Sequence, residues 1–145
     1  MIRYLGVDSG SKRVGLAVSD SVGILASPLE AVARDRVVAR VSELVGELDI
    51  GGLVVGLPTG LSGGEGLSAE DARALGAELG KATGLPVVFV DERFTSRVAE
   101  EALQETGMKR RERRRRVDEA AAALILQDFL DGLAKRGTQG QADTF

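Results

Sequence analysis

Two short, continuously apolar runs, Leu53-Val54-Val55 and Val87-Val88-Phe89-Val90, are separated by a stretch of helical character, and this spacing restricts the fold more than any other feature. Runs so short and so uniformly apolar suit strands covered on both faces. Two strands of one sheet joined through a helix pair in parallel, because the helix carries the chain back to the starting edge. Upstream, Ile2 to Asp8 reads as a first strand, with Leu5 and Val7 on one face and Ile2, Tyr4 and Gly6 on the other. The polar turn Ser9-Gly10-Ser11-Lys12-Arg13 leads into a second strand, Val14 to Ser19, completing a β-hairpin. A third short edge segment is expected at Gly23 to Pro28.

From about Arg34 the apolar period lengthens. Val37, Val38, Val41, Leu44, Val45 and Leu48 mark an amphipathic helix that should end before Gly51-Gly52. Ser68, with Asp71 three residues on, forms a loose capping box for a helix through about Lys81. Thr95 or Ser96 can cap a short helix stopping near Gly107, and Val117 to Leu133 is the strongest helix, with Ala121, Leu124, Ile125, Phe129 and Leu133 as its buried stripe. The predicted architecture is α/β: a mixed central sheet with an N-terminal β-hairpin and helices on both faces. One domain spans residues 1–134, and residues 135–145 form a polar tail.

Composition narrows the chemistry. The chain has no cysteine and no histidine, which removes disulfides, the usual structural zinc sites, thiol nucleophiles and imidazole acid–base schemes. Catalysis is left to carboxylates, cationic side chains, hydroxyls, backbone amides and hard cations. The N-terminus opens directly into a strand and no stretch reaches transmembrane length, so a cytoplasmic protein without membrane contact is expected. The segment Lys109-Arg110-Arg111-Glu112-Arg113-Arg114-Arg115-Arg116 holds seven of the 19 basic groups against one of the 22 acidic ones, a focused patch on an acidic body.

Three carboxylates stand where ligands bind in open α/β sheets. Asp8 and Glu92 leave the carboxyl ends of predicted strands, and Asp118 opens the last helix. Each also has a bland explanation: a turn contact for Asp8, a solvated loop for Glu92, and helix capping for Asp118. Asp91 and Glu92 point to opposite faces of their strand, so only one of them can share a site with Asp8. Taken together, the three acids make a hard oxygen site suited to Mg²⁺ or Mn²⁺, able to orient a water and stabilise a phosphoryl transition state. Ser9, Ser11, Lys12 and Arg13 beside Asp8, and Arg93 beside Glu92, are candidate phosphate contacts, with Arg13 suited to a bidentate one. Lys109, Arg110, Arg113, Arg114 and Arg116 would hold a nucleic-acid backbone. No aromatic interrupts that run, so stacking on single-stranded bases is not expected. The glycine-rich segment Gly56 to Gly66 contains no lysine and is not a Walker A loop.

Four segments together resemble the bacterial YqgF-type proteins, pre-16S ribosomal RNA nucleases or Holliday-junction-resolvase-like proteins of the ribonuclease H-like superfamily. They are Val7-Asp8-Ser9-Gly10-Ser11-Lys12-Arg13-Val14-Gly15-Leu16-Ala17-Val18-Ser19-Asp20, Val55-Gly56-Leu57-Pro58, Asp91-Glu92-Arg93-Phe94-Thr95-Ser96, and the stretch from Val117-Asp118-Glu119 to Gln127. The resemblance covers roughly residues 2–133 and implies a ribonuclease H-like fold. It maps the family's metal-binding catalytic carboxylates onto Asp8, Glu92 and Asp118, and implies maturation of the 5′ end of 16S ribosomal RNA, with pre-16S RNA or a pre-ribosomal particle as partner. Two departures stand out. The family's Asn and Asp after Gly-Leu-Pro are replaced here by Thr59-Gly60-Leu61-Ser62-Gly63, and the extra acid that junction resolvases carry one turn into the last helix is replaced by Ala121 and Ala122. The competing readings are a structure-specific endonuclease on branched DNA, acting as a homodimer where the RNA enzyme could be a monomer, and a non-catalytic RNA-binding assembly factor. A sugar-kinase-like ATPase needs two such domains, and the chain is too short for both.

Overall fold

In the computed structural model, residues 2–10, 12–58, 67–91 and 110–143 are described, with the side chains of 67, 68, 110–117 and 136–143 left aside. Strands β1 (Arg3–Ser9), β2 (Arg13–Ser19) and β3 (Ala26–Ala33) form an antiparallel meander. Strands β4 (Ile50–Leu57) and β5 (Val87–Asp91) extend the sheet in parallel from the other side of β1, giving the order β3-β2-β1-β4-β5. A 3₁₀ turn, Arg34–Arg36, leads into α1 (Val37–Leu48), and α2 (Leu67–Thr83) connects β4 to β5. The long helix α3 runs from Arg110 to Asp143. The mixed sheet, the parallel crossover and the helices on both faces are as the apolar pattern requires. None of the helices among the described residues is long and apolar enough to cross a membrane.

The two faces carry separate cores. Leu5, Val7, Val14, Leu16, Leu53 and Val55 pack under α1 and α2 with Val41, Leu44, Leu75 and Leu79. The other face buries Ala17 and Val54 beneath α3, against Ala122, Ile125, Leu126, Phe129 and Leu130, with Tyr4 and Val90 alongside. The strand parity read for β1 therefore holds.

Several boundaries differ from the expected ones, each for a local reason. Helix α1 ends through Asp49, whose backbone is left-handed (φ 58°) and whose N–H bonds to the Val45 carbonyl. Gly51 and Gly52 then lie inside β4, because a Cβ on Gly52 would come within 2.7 Å of the Tyr4 ring. Strand β3 reaches Ala33 instead of stopping at Pro28; it is an edge strand, where proline is tolerated. Its Glu30 accepts both donors of a forked contact from Arg40 of α1, the shorter at 2.8 Å. Helix α2 begins at Leu67, one residue before the expected cap Ser68, and Asp71 pairs with Arg34 at 3.1 Å. Helix α3 begins seven residues before Val117 and continues past Leu133 to Asp143. An established helix gains one backbone hydrogen bond per residue added, so polar sequence can extend it beyond its buried stripe. The short helix expected between Thr95 and Gly107 falls outside the described residues.

Candidate active site

Asp8 lies at the carboxyl end of β1, next to the Val7–Val55 pair that joins the hairpin to the parallel strands. It shares its face with Tyr4 and Gly6, the face covered by α3, and it is buried to 8% exposure. A buried carboxylate needs compensating charge or hydrogen bonds to remain ionised, so its burial alone marks a position that receives a partner.

Across the hairpin Asp8 pairs with Gly15. There the helix makes its closest approach to the sheet. A Cβ on Gly15 would overlap the backbone carbonyl of Asp118 and reach within 2.8 Å of the Glu119 amide nitrogen. Two residues earlier on β1, a Cβ on Gly6 would come 2.9 Å from the Leu126 Cβ and 3.0 Å from the Ala122 carbonyl. Paired residues in an antiparallel ladder stand about 4.5–5.5 Å apart at their Cα atoms. A single glycine therefore separates the backbone of Asp8 from that of Asp118, although 109 residues of sequence lie between them.

Helix capping does not explain Asp118. Helix α3 starts at Arg110, so Asp118 sits in its third turn, past the amides that a cap would satisfy. Its Oδ2 is buried and receives no aligned hydrogen bond among the described residues. The Nε of Arg13 lies 3.1 Å from that oxygen, close enough for an ion pair but without hydrogen-bond alignment. Burial raises the Asp118 carboxyl above its ordinary range, and the nearby Arg13 charge only partly opposes this. Such an underserved carboxylate, on a helix turn whose backbone covers Gly15, the ladder partner of the buried Asp8, fits a hard cation.

Among the described residues no group of three or more acidic side chains is assembled for a metal; what the fold brings together is the backbone of Asp118 and Gly15, the ladder partner of Asp8. Glu92, Arg93, Ser11 and Lys109 lie outside the described residues. Strand β5 does resolve one ambiguity. Val87 and Phe89 pack with the α1–α2 core whereas Val90 packs under α3, so Asp91 follows the parity of Val87 and Phe89, away from Asp8. Arg13 is in the site, at Asp118, and Lys12 is exposed in the adjoining turn. Arg110, Arg113, Arg114 and Arg116 all belong to the first two turns of α3, not to a loop ahead of it. The residue that sequence reasoning passed over is Gly15. Its signal was present: small residues at 15 and 17 on one face of a strand, and alanines at 120–123 in the helix that covers it.

The whole chain has clear relatives. It is 45% identical over 143 residues to a protein of Mycobacteroides abscessus named "Putative pre-16S rRNA nuclease", covering 95% of this chain and 86% of that one. A protein of the same name from Anaeromyxobacter sp. is 47% identical over 134 residues, covering 90% of this chain and 98% of that one. Among solved structures, Thermus thermophilus RuvC in complex with a Holliday junction substrate superimposes with a TM-score of 0.55 at 18% identity, over 86% of this chain and 92% of that one. That likeness is one of fold, and the fold is ribonuclease H-like. Residues 2–132 match the family described as RuvX, Holliday junction resolvase, and the chain belongs to that family.

Proposed function

We propose that this protein is a divalent-metal-dependent nuclease that processes the 5′ end of pre-16S ribosomal RNA, with Asp8, Glu92 and Asp118 holding Mg²⁺ or Mn²⁺. The observation that carries this reading is the underserved Oδ2 of Asp118, set against the buried Asp8 by the Gly15 contact. The resemblance carried by Asp91-Glu92-Arg93-Phe94-Thr95-Ser96 supports Glu92 as the third acid. Positions 121 and 122 are fully buried alanines and supply no further acid. When bound, the cation would activate a water and neutralise charge on the scissile phosphate. The carboxylates fix where it sits, and the low exposure of Asp8 limits competing water.

The path of α3 supplies a reason for the basic run. The helix passes Gly15 at Asp118, Gly6 at Ala122 and Leu126, and Tyr4 at Phe129, so it runs antiparallel to β1. The segment before Asp118, starting at Arg110, therefore continues past the carboxyl end of β1 by about 12 Å at 1.5 Å per helical residue. A basic run on the same helix, ahead of Asp118 in the sequence, is suited to a nucleic-acid backbone. The names of the relatives favour RNA as the substrate. The family description favours a second reading, a Holliday-junction endonuclease; two symmetric cuts would call for a homodimer, and we propose a cytoplasmic location under either reading.

The deciding experiment gives wild type and Asp8→Asn the same 5′-extended 16S precursor RNA and a four-way DNA junction, each with Mg²⁺ or Mn²⁺. RNA cleavage that falls about 100-fold or more in the variant, with binding largely kept, supports the processing nuclease. Paired symmetric cuts in the junction would move the conclusion to the second reading. Equal cleavage by both proteins would overturn the assigned site.

A further inference from the structure

Arg13 occupies an unusual position for a phosphate contact. It is the first residue of β2 and shares a face with Gly15, and its Nε lies 3.1 Å from the Asp118 oxygen that receives no aligned hydrogen bond. The attraction is therefore one of charge without directional bonding, which leaves it replaceable by another cation. The guanidinium also approaches from the solvent side: the Arg13 side chain is 42% exposed, against 26% for Asp118. The backbone on either side is pinned, with Arg13 paired to Ala33 and Val14 paired to Ser9 and Val32. Any exchange of partners is thus confined to the side chain.

A divalent cation held by Asp8 and by Oδ2 of Asp118 would take the oxygen that Arg13 now neutralises. The two cations repel at that distance, so occupancy by one disfavours the other. A displaced guanidinium keeps its planar donor fork, which matches a phosphate better than an ammonium does. It would stand beside the carboxylates, where a scissile phosphate must lie.

We propose that Arg13 is a positioning residue that exchanges partners, neutralising Asp118 while the carboxylates hold no metal and turning to a phosphate oxygen of the nucleic acid when a divalent cation takes Asp118. The exchange couples metal loading to substrate capture, and by linkage each tightens the other. It rests on the nuclease reading above and adds an order to it: an unloaded site withholds its phosphate contact.

The test uses the full chain, without turnover. Mn²⁺ binding is measured by calorimetry for wild type, Arg13→Gln, Arg13→Lys and Asp8→Asn. Binding of the 5′-extended precursor RNA is then measured across salt concentrations with and without Ca²⁺. Arg13→Gln should bind Mn²⁺ about 3- to 10-fold more tightly than wild type, whereas Arg13→Lys, which keeps the competing charge, should stay near wild type. In wild type, Ca²⁺ should steepen the salt dependence of RNA binding by about one phosphate contact, and Arg13→Gln should lose that increment. Unchanged or weaker Mn²⁺ binding by Arg13→Gln would overturn the exchange, as would persistence of the Ca²⁺-dependent increment in that variant. Asp8→Asn separates the two ideas. If it binds Mn²⁺ as wild type does, the carboxylate site itself is misassigned, and if it alone loses Mn²⁺ while Arg13→Gln changes nothing, only the exchange is wrong.

Discussion

The two faces of the sheet are packed by different rules. Under α1 and α2 the contacts are between large aliphatic side chains, Leu5, Leu16 and Leu53 against Leu75 and Leu79, and even the glycines there make room for side chains: a Cβ on Gly76 would strike the Phe89 ring at 2.6 Å. Under α3 several strand positions are small (Gly6, Gly15 and Ala17), and at Gly15 backbone lies on backbone. The first arrangement buries area and is tolerant of detail; the second sacrifices burial for proximity. Only the second can bring a helical carboxylate beside one at a strand end, and the candidate site is on that face.

The largest effect that could break this comparison is at Gly15. Gly15→Val would force the Asp118 carbonyl away and should cost about 4 kcal/mol or more, with no side-chain rotation able to relieve it. Leu79→Ala on the other face should cost about 3 kcal/mol by leaving a cavity, yet keep Mn²⁺ affinity in the protein that remains folded. Denaturant unfolding alongside calorimetric Mn²⁺ titration checks both. If Gly15→Val bound Mn²⁺ normally, close packing would have no part in assembling the site.

A smaller effect concerns pH. The Asp118 carboxyl is raised by burial, so its protonated form is favoured in the folded chain. The stability it contributes is fully present below the ordinary carboxylate range and is lost as pH rises through the raised folded value. Without metal, Asp118→Asn should match wild type in acid and melt a few degrees higher near neutrality. Added Mn²⁺ should reverse that order by stabilising only wild type, by about 2.7 kcal/mol at 100 times the dissociation constant. Melting temperatures against pH, with Mn²⁺ or with chelator, test the sign. A wild type that lost stability on acidification relative to the variant would show that Arg13 outweighs burial.

The smallest predicted change is a gain. Gly46 lies in α1 with open space where its Cβ would be, so Gly46→Ala should stabilise by about 0.5–1 kcal/mol. Thermal melting would show it, and a loss there would mean that the space beside Gly46 is not open.

Much of this was readable in advance. The parity of β1, the hairpin, the α1 span and the strand Val87–Asp91 follow from periods of two and 3.6, which short-range sterics impose. Asp8 was identifiable because a strand ends there in an acid before a glycine. Asp118 was readable only as a candidate, since a helix start at Val117 made capping the stronger explanation for it taken alone. That start was misplaced because the basic run has no apolar period to mark it, although arginine is a good helix former.

By itself, the sequence determined the classes: which segments are strands or helices, which faces are apolar, and, through the absence of histidine and cysteine, that any metal must be held by oxygen. Those properties depend on neighbours within a few positions or on composition. Tertiary structure alone decided that the Asp118 backbone lies over Gly15, the ladder partner of Asp8, and that Arg13 stands at Asp118. Each is set by how closely α3 can approach the sheet, and that distance depends on a missing side chain at Gly15, far from both acids' helical or strand neighbours in one case and across a ladder in the other.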